Sequence, residues 1–162
     1  MGMNECDFRE FPIVLMRAAV KRELLDKLFL KEVGKAVKNK TKELIGHEQP
    51  EWPPLADFTK ADRVAKGYPE NEPLLREGKL RNSVGYKVDC GIVKKDVSIG
   101  YKVGYGTDEY AKAQEEGKGK IPPRPALKTA LFREHDKIIS LMVILGRIFT
   151  QPPITSVSET EG

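Results

Sequence analysis

Two runs of alternating residues constrain this chain more than any other feature in it. Val84, Tyr86, Val88, Cys90 and Ile92 stand on one side of the first run, against Ser83, Lys87 and Asp89. Val97, Ile99, Tyr101, Val103 and Tyr105 repeat the pattern against Ser98, Gly100, Lys102 and Gly104. A period of two sends alternate side chains to opposite faces of a strand, so two such runs joined by Lys94-Lys95-Asp96 predict an antiparallel β-hairpin. A hairpin by itself is not stable in water. Its apolar face must be covered by flanking helices or extended by another strand. The expected fold is therefore α+β, an antiparallel hairpin or small sheet packed by long N-terminal and C-terminal helices.

The flanks supply those helices. From about Pro12 to Leu44 the residues favour a helix, and proline suits a first helical turn because its missing N–H costs nothing there. Ile13, Met16, Val20, Leu24 and Leu28 fall on one face, whereas Phe29, Val33, Val37 and Leu44 fall on nearly the opposite one. Either the helix breaks between Leu30 and Gly34 or its two halves bury against different partners, one of them a neighbouring subunit. After the hairpin, Thr107 is placed to cap a short helix through Tyr110, Ala111 and Glu115 that stops at Gly117. Pro122, Pro123 and Pro125 make a stiff strut. Pro125 then opens a second long helix, to about Phe149, with an apolar stripe at Leu127, Leu131, Ile138, Met142, Leu145 and Phe149. Val143 and Ile144 widen that stripe beyond what one partner needs.

Shorter elements fill the middle. Thr59-Lys60-Ala61-Asp62 resembles a capping box and predicts a short helix to about Lys66. Leu74 to Asn82 reads as another, with Leu75 and Leu80 inward. Trp52, in a proline-bearing loop, is either an anchor folded onto the core or an interface residue. A length of 162 residues suits one domain, 1–150, followed by a polar, acidic tail, 151–162, that either lacks structure of its own or docks on a neighbour.

Chemistry is hard to find in this sequence. His47 and His135 stand at metal-ligand spacing neither to each other nor to Cys6 or Cys90, so no metal and no cofactor is expected. Cys90 falls on the apolar face of its strand, where a packed thiol is the simpler reading. Glu115 and Glu116 are adjacent and would point apart on a helix. Gly117-Lys118-Gly119-Lys120 is too short for a phosphate-binding loop and reads as a basic loop tip. No catalytic residue is expected and the chain does not read as an enzyme. The N-terminus lacks the basic-then-apolar order of a signal peptide. Two reduced thiols in a protein made in the cytoplasm is the expectation.

The first helix is basic. Between residues 12 and 44, nine Lys/Arg stand against four Asp/Glu. Such a run is either a solvated face or a surface that meets phosphate, and Lys31, Lys35, Lys38 and Lys42 are the candidates to face a DNA channel or an acidic partner.

Four pieces, in order over about residues 50 to 130, carry a resemblance. They are Trp52-Pro53-Pro54-Leu55 with Thr59; Leu74-Leu75 with Gly78, Leu80 and Ser83; Gly106-Thr107 with Tyr110-Ala111 and Gly117; and Pro122-Pro123-Arg124-Pro125 with Leu127. Together they resemble the tailed-bacteriophage virion-morphogenesis family, the Mu-like and related tail-completion or neck proteins. Departures stand at Glu77, where a small hydroxyl residue is expected, near Gln114, where a histidine is, and at Ala126, where an aromatic is.

The resemblance implies a non-enzymatic virion protein at the head–tail junction or tail top. It would form a homo-oligomeric ring around the DNA channel, six-fold by preference and twelve-fold as the alternative. Its neighbours would be the portal, an adaptor or a stopper, a tail terminator and the tail tube, with DNA passing non-specifically and no membrane contact. Expected interface residues are Arg124, Phe29, Val33, Val37, Val143 and Ile144. Arg124, locked between prolines, is expected to pair with a carboxylate. The alternative is a sequence-independent nucleic-acid-binding module that uses the basic first helix.

Overall fold

A computed structural model describes residues 11–91, 94–102 and 107–150. Cys6, Ile92, Val103, Tyr105 and the 151–162 tail fall outside them. The helix α1, Phe11–Leu44, runs unbroken for 34 residues, about 51 Å at 1.5 Å per residue. Of the two alternatives for this helix, a break between Leu30 and Gly34 is absent, and Gly34 serves a close approach instead. A Cβ there would overlap the Tyr86 ring, so glycine lets the hairpin lie directly on the helix. Val33, Val37, Thr41 and Leu44, with Ile45 just beyond, form the buried stripe of α1. The buried Thr41 hydroxyl donates back to the Val37 carbonyl at 2.8 Å, which leaves no orphaned polar group in the stripe. Leu24 and Leu28, from the other apolar face, are exposed.

The hairpin forms as its alternation requires. β1, Val84–Cys90, pairs antiparallel with β2, Lys95–Tyr101. The register sets Val84 opposite Tyr101, Tyr86 opposite Ile99 and Val88 opposite Val97, so the apolar residues share one face. α1 covers that face. Lys95 and Asp96 belong to β2, not to the turn, and Lys95 reaches Asp26 of α1 at 2.6 Å, tying the far end of the hairpin to the helix.

Three of the short elements differ from expectation. α2, Asp57–Ala65, begins two residues before Thr59, with Ala56 at its N-cap and no side-chain cap. The N–H groups of Thr59 and Lys60 instead donate to the Ala56 carbonyl. α3 is a single turn, Lys79–Ser83, because Leu74 (φ 65°) and Gly78 (φ 75°) take left-handed backbone that interrupts any helix begun at Leu74. α4, Asp108–Glu116, has Thr107 at its N-cap position, but the Thr107 side chain makes no capping bond.

The C-terminal helix is two helices. α5, Ala126–Arg133, ends at Glu134, and α6, His135–Thr150, begins after it. Glu134 (φ −88°, ψ −1°) is the one residue between them, and its N–H still donates to the Ala130 carbonyl while its own carbonyl accepts from the Ile138 N–H. Ala126 and Ala130 of α5 are fully buried against α1 and join Val37, Leu44, Ile45, Trp52, Leu80, Val84 and Ala111 in the core. Small side chains let α5 approach α1 closely, while α6 follows along α1 toward its N-terminal half, where Arg22 sits over the Phe149 ring at 5.6 Å. The architecture is α+β, a two-stranded antiparallel sheet flanked by helices.

Candidate functional site

Two buried arginines hold the loops in place. Arg63 of α2 donates from Nε to the Pro69 carbonyl and from Nη2 to the Leu75 carbonyl, each at 2.7 Å. Arg124 in the proline strut donates from Nε to Pro53 at 3.0 Å and from Nη2 to Pro54 at 2.9 Å. Its own N–H donates to the Gln114 carbonyl at 2.6 Å. The expected carboxylate partner of Arg124 is therefore replaced by backbone carbonyls of its own chain, and Arg124 is an internal clasp. Its burial lowers the guanidinium pKa. Trp52 lies buried beside this clasp, the anchor of the two roles open to it. Nothing in the sequence distinguishes Arg63 from the other cations, because its acceptors are carbonyls.

The strut also carries the start of α5. Glu115 Oε1 accepts from the Leu127 N–H at 2.7 Å and from the Tyr101 hydroxyl at 2.8 Å. A carboxylate from α4 thus caps a helix that has no acid of its own in its first turn. Burial first, and the adjacent Glu115 charge second, raise the Tyr101 pKa far above its ordinary value.

A cleft of about 680 Å³ opens between α2, the turn before α3, α4 and the strut. Phe58 stands at its rim, 79% exposed, with Tyr110 and Ile121 also uncovered. Arg76, Lys79 and Lys120 bring positive charge to it. Thr107 Oγ1 and Gln114 Oε1, of two residues that line it, are buried and have no hydrogen-bond partner among the described residues. Each such atom costs about 1–3 kcal/mol unless something else satisfies it. The cleft draws on segments far apart in sequence, which is why the residues alone did not reveal it.

The basic ridge lies elsewhere. Lys31, Lys35, Lys38 and Lys42 share one side of α1 over about 16 Å of rise. Lys31 and Lys35 are exposed, and Lys38 lies 5.6 Å from the Tyr86 ring. Partial burial lowers the Lys42 pKa, and Lys38, Arg81 and Lys102 add repulsion in the same direction. Arg81 and Lys102 therefore belong to the same electropositive patch. Among the described residues none of these six cations forms an ion pair.

The expected interface residues divide. Val33 and Val37, the latter 1% exposed, belong to the protein's own core and not to a subunit interface; Phe29 is half-buried. The apolar stripe of α1 was real, but its partner is the hairpin and α5. Val143 (49%) and Ile144 (53%) are uncovered. They belong to a wider surface, for α6 has no buried residue at all. Ile139, Met142, Ile148 and Phe149 are exposed with them.

Among the described residues no group of three or more His, Cys, Asp or Glu side chains is placed to hold a metal ion. His47 Nδ1 lies 2.8 Å from the Glu43 carbonyl at the end of α1, and His135 lies near Asp136. Cys90 is half-buried and is the one cysteine among the described residues. No described helix is long and apolar enough to cross a membrane. Comparison with protein-family models, with curated proteins and with solved structures finds no match for this chain.

Proposed function

We propose that this chain is a structural, non-enzymatic protein of a tailed-phage virion, forming a homo-oligomeric ring at the head–tail junction around the DNA channel. The ordered motif set from Trp52 to Leu127 supplies the virion reading. The single observation that carries the assembly reading is α6, sixteen residues with an apolar surface and no buried side chain. A contiguous apolar face of this kind is a feature of interaction sites on soluble proteins. A ring of identical subunits needs two different complementary patches per subunit, because its contacts are head-to-tail. The α6 face is one patch. Six-fold symmetry is favoured and twelve-fold is the alternative, with an adaptor or stopper above, a terminator or tube below, and DNA passing without sequence readout.

Electron microscopy of a lysate from a phage with this gene disrupted tests the reading. DNA-filled heads beside detached tails are expected, whereas tails of abnormal length would move the role to tail termination. Normal infectious particles would overturn the proposal.

A second reading rests on the basic ridge. Four lysines in line on α1, joined by Arg81 and Lys102, suit a sequence-independent nucleic-acid surface. In the ring this ridge would face the channel. In a free module it would be the whole site. A stable monomer whose DNA affinity falls steeply with salt favours the module, and persistent self-association with weak DNA binding favours the ring.

A further inference from the structure

We propose that the cleft between α2 and the proline strut receives the 151–162 segment of a second copy of this chain. The inference rests on the self-assembly half of the proposed function, and it names the second patch that a ring requires.

The chemistry of the cleft asks for a peptide. Gln114 Oε1 and Thr107 Oγ1 are unpartnered among the described residues, and a backbone N–H satisfies such acceptors. Phe58 and Ile121 offer uncovered apolar surface at the rim. Five cations line the cleft against the single carboxylate of Glu77. Lys79 meets Glu77 and Arg76 meets Asp62, both pairs at 2.6 Å on the surface, where such pairs hold only weakly. Lys120 has no ion pair among the described residues.

The 151–162 sequence, Gln-Pro-Pro-Ile-Thr-Ser-Val-Ser-Glu-Thr-Glu-Gly, complements each of these. It carries Glu159 and Glu161 and no cation, with Ile154 and Val157 as its apolar residues. Its non-proline backbone supplies the N–H donors.

Reach decides which copy supplies it. The last residues of α6 lie near Arg22, while the cleft adjoins the opposite end of α1, where Gly46 donates to Pro73 and packs on Leu75. Arg22 and Gly46 are separated by about 36 Å of helix rise. Ile154, four residues past Thr150, can lie at most about 14 Å from it even in a fully extended chain. Val157, seven residues past Thr150, reaches about 25 Å, also short of that span, so we assign the occupant to a neighbouring copy.

The test uses the full chain carrying Glu159→Lys and Glu161→Lys, so that its own segments leave the clefts open. A fluorescent peptide of the native 151–162 sequence is titrated with this protein and followed by anisotropy. Saturable binding is expected, weakened about tenfold or more when Lys79→Glu and Lys120→Glu are added. A peptide with Lys at positions 159 and 161 should bind that reversed cleft better than the native peptide does. The native full chain should also sediment as a larger species than its Glu159→Lys/Glu161→Lys variant. Absence of saturable binding overturns the proposal. So does equal binding of a scrambled peptide, which would make the cleft a general acidic-peptide site, or full competition by inorganic phosphate, which would make it a small-anion site. Peptide binding to a native chain that stays monomeric at every concentration overturns exchange between copies. None of these readouts depends on phage particles, so the virion reading stands or falls separately in the lysate.

Discussion

Ala126 and Ala130 of α5 are fully buried against α1, whereas α6, one residue further on, has no fully buried residue and only Ile138, Leu141 and Leu145 half-buried, although it is richer in large apolar side chains. α5 is anchored at its start by the Arg124 clasp and the Glu115 cap, and its alanines admit the neighbouring helix. α6 begins after the turn at Glu134 with no comparable anchor and keeps only Ile138 against the core. Apolar content therefore does not measure burial. What decides is how closely a neighbour can approach, and whether the chain around the helix is fixed.

Breaking the α5 side should have the largest effect. Ala130→Leu forces three extra carbons into a close helix contact and should destabilise folding by about 3 kcal/mol, read as a lower urea midpoint. Arg124→Met should cost about 2 kcal/mol by leaving the Pro53 and Pro54 carbonyls without donors, with only partial recovery in Arg124→Lys, which lacks the fork. Tyr101→Phe should cost about 1 kcal/mol at neutral pH through the lost bond to Glu115. Its pH signature is more telling. Because the folded pKa of Tyr101 is raised, its contribution is complete below the ordinary tyrosine pKa of about 10 and is lost as pH climbs above it, where only the unfolded chain ionises. Native protein should therefore lose stability in urea titrations above pH 10, and Tyr101→Phe should show a shallower decline; an identical decline in both would remove Tyr101 from the account.

The α6 side should respond least in folding and most in association. Met142→Ser, Val143→Ser and Ile144→Ser together should change dilute-solution stability by only about 0.5 kcal/mol per site. The same variant should dissociate at markedly higher concentration in analytical ultracentrifugation. A loss of stability as large as that of Ala130→Leu would erase the difference between the two helices.

Legibility followed the same division. The hairpin could be read directly, since a period of two admits one pairing of faces, and Val84, Tyr86 and Val88 meet Tyr101, Ile99 and Val97. The apolar stripe at Val33 and Val37 is visible in the sequence, but periodicity names a face and not what covers it, and a neighbouring subunit fits the pattern as well as the hairpin does. The break at Glu134 has no proline or glycine to announce it, and the stripe runs through it. Leu74 in left-handed backbone is equally silent, because nothing about leucine signals that geometry. The cleft needed the fold, as Phe58, Gln114 and Lys120 become neighbours only after the loops are clasped.

Those clasps carry a consequence for how such a protein can change over time. Arg63 and Arg124 read main-chain oxygens, which every residue possesses, and leave the side chains of the gripped loops unread. The loops are free to drift in composition so long as their path is kept, whereas each arginine answers to two acceptors at once and has no equivalent substitute. Kinship among chains built this way would survive in a pair of guanidinium groups after it had faded from the segments they hold.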